Sequence, residues 1–234
     1  MLILIIAFLV SLLPAFVLYF WLKKQQGMPE GYPDRCRQAL FKGMFAVLPV
    51  VGTSFVLNVA GRLLFYGHAD SVLYQAYYKF IAIAFAEELV KFLMMRRVTR
   101  GISCPWLEYT VYMMLVGLGF EVLEAIPYAF GSGPIHMLVR GVTIMHVGFG
   151  YIMGWFYGKS RYEGRKGPAV LGFVLAWLMH GLYDFSLTEG MTERSDFFIF
   201  APVTLAAFCL VLIFFYVRFV RKAKKQDRYT TLLS

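Results

Sequence analysis

Hydrophobic positions along the 234-residue chain fall into long unbroken runs, not into strand-like alternation or short amphipathic patterns. A bilayer core takes about 20 apolar residues as helix, and seven segments reach that length: 1–22, 43–66, 72–95, 106–128, 137–158, 168–187 and 197–217. The pattern predicts an all-α polytopic membrane bundle of about seven transmembrane helices. No internal repeat and no long linker divides the chain, which therefore reads as a single integral-membrane domain over 1–234 with a basic tail at 218–234. Segment 1–22 has no charge before it and runs into Lys23 and Lys24, so it reads as a retained first helix and not as a signal peptide. The turn-rich stretch from Gly27 to Asp34 reads as an ordered bend.

Composition agrees with this pattern: 59% of residues are hydrophobic, against roughly 45 to 50% in soluble domains. The net charge of +9 changes the picture only through its location. Eighteen basic residues lie in loops 23–42, 96–105 and 159–167 and in the tail, whereas the alternate loops hold Arg194 alone. Under the positive-inside rule, the N-terminus is then outside and the C-terminus cytoplasmic. The charge records topology in a lipid bilayer, and no basic face on a soluble domain is available for a nucleic-acid partner. Cys36, Cys104 and Cys209 are widely spaced, which predicts free thiols and no thiolate zinc site.

The charges inside the runs carry the chemistry. A charged side chain near a helix centre costs about 2.5 to 3.5 kcal/mol on the insertion scale, and such groups usually face the bundle interior and serve function. The third segment holds Glu87, Glu88 and Lys91, the fourth Glu121 and Glu124, the fifth Arg140 and His146, and the sixth His180 and Asp184. At about 1.5 Å per residue these groups lie roughly 14 to 22 Å from the cytoplasmic edge, so they can meet. Glu87 and Lys91 share a helix face at i,i+4, whereas Glu88 is rotated by about 100° toward a neighbouring helix. His180 and Asp184 are also i,i+4, which lets Asp184 fix the imidazole tautomer. Glu121 and Glu124 would not both ionise side by side, so one carries a proton or meets Arg140. His146, Gly150, Gly154 and Gly158 repeat at i+4 and predict a tight helix crossing in mid-segment. Arg62 and Lys79 read as snorkelling residues, Glu108 as interfacial, and His68 and His136 as solvent-exposed.

In this order and spacing, Glu87-Glu88-Leu89-Val90-Lys91, Gly119-Phe120-Glu121-Val122-Leu123-Glu124, Arg140 with His146, and His180-Gly181-Leu182-Tyr183-Asp184 resemble the PrsW family of intramembrane proteases. The likeness runs from about Ala15 to Lys225 and extends more distantly to the CAAX prenyl endopeptidases. Ala125 stands where the PrsW family usually has Asn after the second Glu, and Glu121 is an extra carboxylate. The resemblance implies catalytic roles for Glu87, Glu88, His146 and His180, with Lys91, Glu121, Glu124, Arg140 and Asp184 in support. It also implies a membrane-anchored, single-pass substrate, in that family an anti-sigma factor cut on the extracytoplasmic side during bacterial stress responses.

Hydrolysis needs an activated water, an oxyanion donor and a proton for the leaving amine. Water activated directly by glutamate and histidine is the favoured route, because Lys91 would repel a divalent cation. A zinc ion held by Glu87, His146 and His180 is the other. The competing readings are a proton-coupled transporter, for which no inverted repeat is visible, and a CAAX-endopeptidase-like protease acting on the cytoplasmic side.

Overall fold

A computed structural model describes residues 2–24, 30–131 and 144–191, together with scattered positions between 204 and 221. The described regular structure is helical throughout: α1 (Leu2–Ser11), α2 (Leu13–Lys23), α3 (Tyr32–Leu64), α4 (Val72–Tyr77), a π-helical stretch (Tyr78–Phe85), α5 (Ala86–Val98), α6 (Trp106–Gly131), α7 (Met145–Glu163) and α8 (Gly167–Met191). Four stretches, Ile5–Lys23, Tyr32–Leu64, Trp106–Pro127 and Gly167–Ser186, are long and apolar enough to cross a membrane. The described positions between 204 and 221 are helical one by one, but most of segment 197–217 lies outside the described residues.

Three elements differ from the sequence expectation. The first segment is two helices, interrupted at Leu12, with Pro14 in the first turn of α2. The second begins eleven residues before the expected start, at Tyr32. Gly31 takes φ +78° ahead of it, and Pro33 stands in the first turn, where a missing N–H costs no helical bond; the Pro and Gly read as a bend are thus a helix start. In the fifth segment α7 begins only at Met145, and residues 132–143 lie outside the described residues.

Helix α6 is the axis of the bundle. It packs between α3 and α7; α7 packs on α8, α8 on the π stretch, and α5 and the π stretch back on α3, which closes a ring. Backbones meet where side chains are missing. A Cβ on Gly119 of α6 would land on the Leu40 carbonyl of α3, and one on Gly150 or Gly154 of α7 would fall 2.6 Å from Met113 O or 2.8 Å from Thr110 Cα of α6. The small-residue stripe predicted on the fifth segment is therefore a helix crossing, made against α6. The opposite face of α3, with Phe45, Leu48, Phe55 and Val56 each more than 60% exposed, presents the apolar surface that a bilayer covers.

At the loop end of α6 a second polar cluster forms. Arg35 Nε donates to Tyr112 Oη (2.9 Å), and Tyr112 Oη donates to Glu108 Oε2 (2.5 Å). Glu108, expected at the interface, is fully buried. The tyrosine and the Arg35 guanidinium 3.9 Å away stabilise its carboxylate there. Cys36 and Cys104 are free thiols, as expected, and Cys209 lies outside the described residues. Burial pushes the Cys104 thiol up to about 12, and the nearby Glu108 carboxylate adds to the effect. At pH 8 its thiolate fraction should then be about 10³ below that of an ordinary thiol with pKa near 8.5. In a Cys36→Ala, Cys209→Ala background, mass spectrometry should find Cys104 alkylated correspondingly slowly. Labelling at the rate of free cysteine would contradict this environment.

Candidate active site

The site sits where α5, α6, α7 and α8 converge. Because α5 is packed against α3, α6 and α8, most of its circumference faces protein. Glu87, Glu88, Val90 and Lys91 are accordingly all buried, with Glu88 at 0% exposure. Glu88 faces a neighbouring helix, as expected, reaching His180 of α8, and through it shares the site with Glu87. The π stretch immediately before α5 is the sort of local widening that recurs at functional sites. One of its carbonyls, that of Phe80, accepts from Trp177 Nε1 of α8 (2.5 Å), which ties α8 to the rod carrying the two glutamates.

Lys91 joins the groups. Its Nζ lies 2.6 Å from Glu88 Oε1, 3.3 Å from Glu87 Oε2 and 2.8 Å from His146 Nδ1. The Phe120 ring lies below it, 4.4 Å from Nζ to centroid. With two carboxylates against it, Lys91 is an ammonium, so His146 Nδ1 must accept. His146 Nε2 then carries the proton and donates to Glu124 Oε2 at 2.7 Å. The backbone N–H of His146, in the first turn of α7, donates to Glu121 Oε2 (3.3 Å). That turn lacks a cap of its own, because Ile144 precedes it at φ 40° with no side-chain bond. Glu121 of α6 thus satisfies an orphan donor of α7.

His180 is fixed in the opposite sense. Glu88 Oε1 can only accept, so His180 Nδ1 donates to it (2.9 Å), and Nε2 is turned toward two further carboxylates. Nε2 lies 4.0 Å from Glu87 Oε2 and 3.7 Å from Asp184 Oδ2. Glu88, not the expected Asp184, sets the tautomer, because Asp184 stands beyond hydrogen-bond reach of the ring. Phe149 stacks on His180 at 4.9 Å and the two imidazoles meet edge to face at 5.1 Å.

The structure therefore gathers Glu87, Glu88, Lys91, Glu121, Glu124, His146 and His180, with Asp184 at the margin. Arg140 and His136 lie outside the described residues. His68 and Arg62 are exposed, and Lys79 lies half-buried over the Tyr78 ring. Sequence reasoning reached Phe120 only as a motif residue beside Glu121, and it missed the ring of Phe149, although that stands close in sequence to His146.

Donor atoms of Glu87, Glu88, His146 and His180 all lie within 4.8 Å of one another, as do those of Glu121, Glu124 and His146. Glu88 Oε2 is buried with no hydrogen-bond partner among the described residues. Two imidazoles and a carboxylate, with further carboxylates beside them, are the donor chemistry of a His2Glu zinc centre, and these residues fit such an ion.

Residues 36–217 match the model of the PrsW family intramembrane metalloprotease. The chain is 31% identical over 184 residues to Protease PrsW of Bacillus subtilis, covering 74% of this chain and 78% of that protein. It is 28% identical over 222 residues to Protease PrsW of Geobacillus kaustophilus, covering 92% and 89%. No solved structure matches it.

Proposed function

The chain belongs to the PrsW family of intramembrane proteases, and on that premise we propose that Glu87, with His146 and His180, hydrolyses a peptide bond of a single-pass membrane protein, an anti-sigma factor, on the extracytoplasmic side. It is a multi-pass protein of a bacterial membrane, and a hydrolase. We read residues 1–234 as one protease domain.

One observation carries the reading: His180 Nε2 and the Glu87 carboxylate face each other across 4.0 Å in a buried site. In the neutral imidazole Nε2 has a lone pair, so a water donating one bond of about 2.8 Å to each group spans that gap, and the pair can take its proton as it attacks. His146 presents the complementary group, an N–H on Nε2 only 3.9 Å from Glu87 Oε2. Turned from Glu124 toward the substrate, that N–H stabilises the developing oxyanion and supplies a proton to the leaving amine. Glu88 and Lys91 hold the two imidazoles in these tautomers. Glu87, His146 and His180 are also the residues that would hold a zinc ion, which when bound supplies Lewis acidity toward the scissile carbonyl.

The substrate follows from the position of the site. A scissile amide inside a helix is shielded by its own hydrogen bonds, so only an extended segment can enter, and unwinding costs least at the end of a transmembrane helix. The 18-to-1 distribution of basic residues supports an extracytoplasmic opening. The test is the full chain in liposomes with a single-pass substrate, the fragments mapped by mass spectrometry. A new terminus within a few residues of the outer helix end is expected. A cut confined to a cytoplasmic loop would favour the CAAX-like reading, and no terminus beyond that seen with the Glu87→Gln variant would overturn the assignment as a protease.

A further inference from the structure

Lys91 is the least ordinary member of the site. It is 1% exposed, and its ammonium has three N–H bonds to give. All three go to donors of the metal-competent cluster: Glu88 Oε1 at 2.6 Å, His146 Nδ1 at 2.8 Å and Glu87 Oε2 at 3.3 Å. The Phe120 face closes the remaining side. An ammonium so placed occupies the charge position that an inorganic cation would take among the same atoms. The tautomer adds a second constraint. While Lys91 donates to Nδ1, the proton of His146 stays on Nε2 and is directed at Glu124, so neither nitrogen of that ring has a lone pair to give an ion.

We propose that Lys91 is a tethered cation that competes with a divalent metal ion for Glu87, Glu88 and His146, so that the site alternates between a lysine-filled and a metal-filled state. Entry of the ion requires the ammonium to leave its three acceptors, which frees the Nδ1 lone pair of His146 as a ligand while the Nε2 proton stays on its bond to Glu124. This rests on the reading of Glu87, His146 and His180 as the reactive donors, but it concerns occupancy and not cleavage. The two can fail separately.

The test titrates Co²⁺ into the full chain in detergent, without substrate, and follows the visible absorption of the bound ion, with Zn²⁺ affinity obtained by competition. Lys91→Met removes the charge at nearly constant length and should bind at least about tenfold more tightly than wild type, since a like charge a few Å from the ion is gone. Lys91→Arg keeps a permanent charge and should bind no more tightly than wild type. Should Lys91→Met fail to fold, judged by size exclusion and thermal melting, Lys91→Gln takes its place, because it offers hydrogen bonds to Glu88 and His146 without charge. The same tightening is expected. Metal affinity unchanged or weakened in the neutral variant, or equal in the neutral and arginine variants, would overturn the competition. Cleavage that persists in a protein with either result would leave the protease reading standing.

Discussion

Glu87→Gln should insert and fold like the wild type and cleave at least about 10²-fold more slowly, within the range of 10² to 10⁴ that a general base contributes. The amide keeps the volume of the carboxylate and can still accept from Lys91 at 3.3 Å, but it cannot take a proton from water. Stability should survive because the shorter contact of the ammonium, 2.6 Å to Glu88, is untouched and keeps the buried charge paired. Glu88→Gln should behave differently. It removes the carboxylate that serves both Lys91 and His180, leaving Glu87, at 3.3 Å, as the nearest carboxylate to the buried ammonium. Breaking a buried pair costs up to about 3 to 5 kcal/mol, so a lower melting temperature should accompany its loss of activity. Initial rates of terminus formation and melting in detergent separate the two. Near-wild-type cleavage by Glu87→Gln would remove it from the role of base.

Much of this arrangement was legible in the sequence, and the reason is physical. Ionisable groups inside apolar runs have few tolerable places, so Glu87, Glu88, Lys91, Glu121, Glu124, His146 and His180 announce a shared interior by their presence alone. Spacing on one helix was equally readable: Glu87 and Lys91 at i,i+4 do meet. What sequence could not show is how far a helix is surrounded. Glu88, rotated by about 100°, pointed to a neighbouring helix without saying which, and because α5 is enclosed on most sides both rotations lead into the same site. Glu108 failed for the same reason. One turn into an apolar run reads as interface, but Arg35 and Tyr112 come from outside its local sequence and over its own helix to bury it.

Helix ends were the other illegible feature. Hydropathy sees one continuous run through 137–158, and nothing in composition marks the start of α7 at Met145. That start matters to the site, because it gives His146 a backbone N–H that needs an acceptor. Glu121, an extra carboxylate in the resemblance to the family, has that acceptor role here. Pro33 misled in the opposite direction: at the first turn of α3 it begins a helix, whereas the stretch around it read as a bend.

Gly119→Ala should be among the most damaging single-methyl changes in the protein. Its Cβ would fall on the Leu40 carbonyl, with the Met44 amide nitrogen at 3.0 Å, and both are backbone of α3 that no rotamer change can move. The two helices must separate. Overpacking of this kind costs about 1 to 3 kcal/mol even where side chains can give way, so the upper part of that range is expected from melting in detergent. Gly52, on the same helix α3, provides the control, because a methyl there would meet nothing within 4 Å. Gly52→Ala should be neutral or stabilise slightly, since alanine gains up to about 1 kcal/mol of helix propensity over glycine. The activity loss of Gly119→Ala should exceed what its stability loss explains. Helix α6 carries Glu121 and Glu124, which hold the backbone and the Nε2 proton of His146. A displacement of that helix by about 1 Å is enough to cost on the order of 10² in rate. Equal melting temperatures for the two variants would mean that α3 and α6 do not cross at Gly119, and the construction of the site on α6 would fall with that crossing.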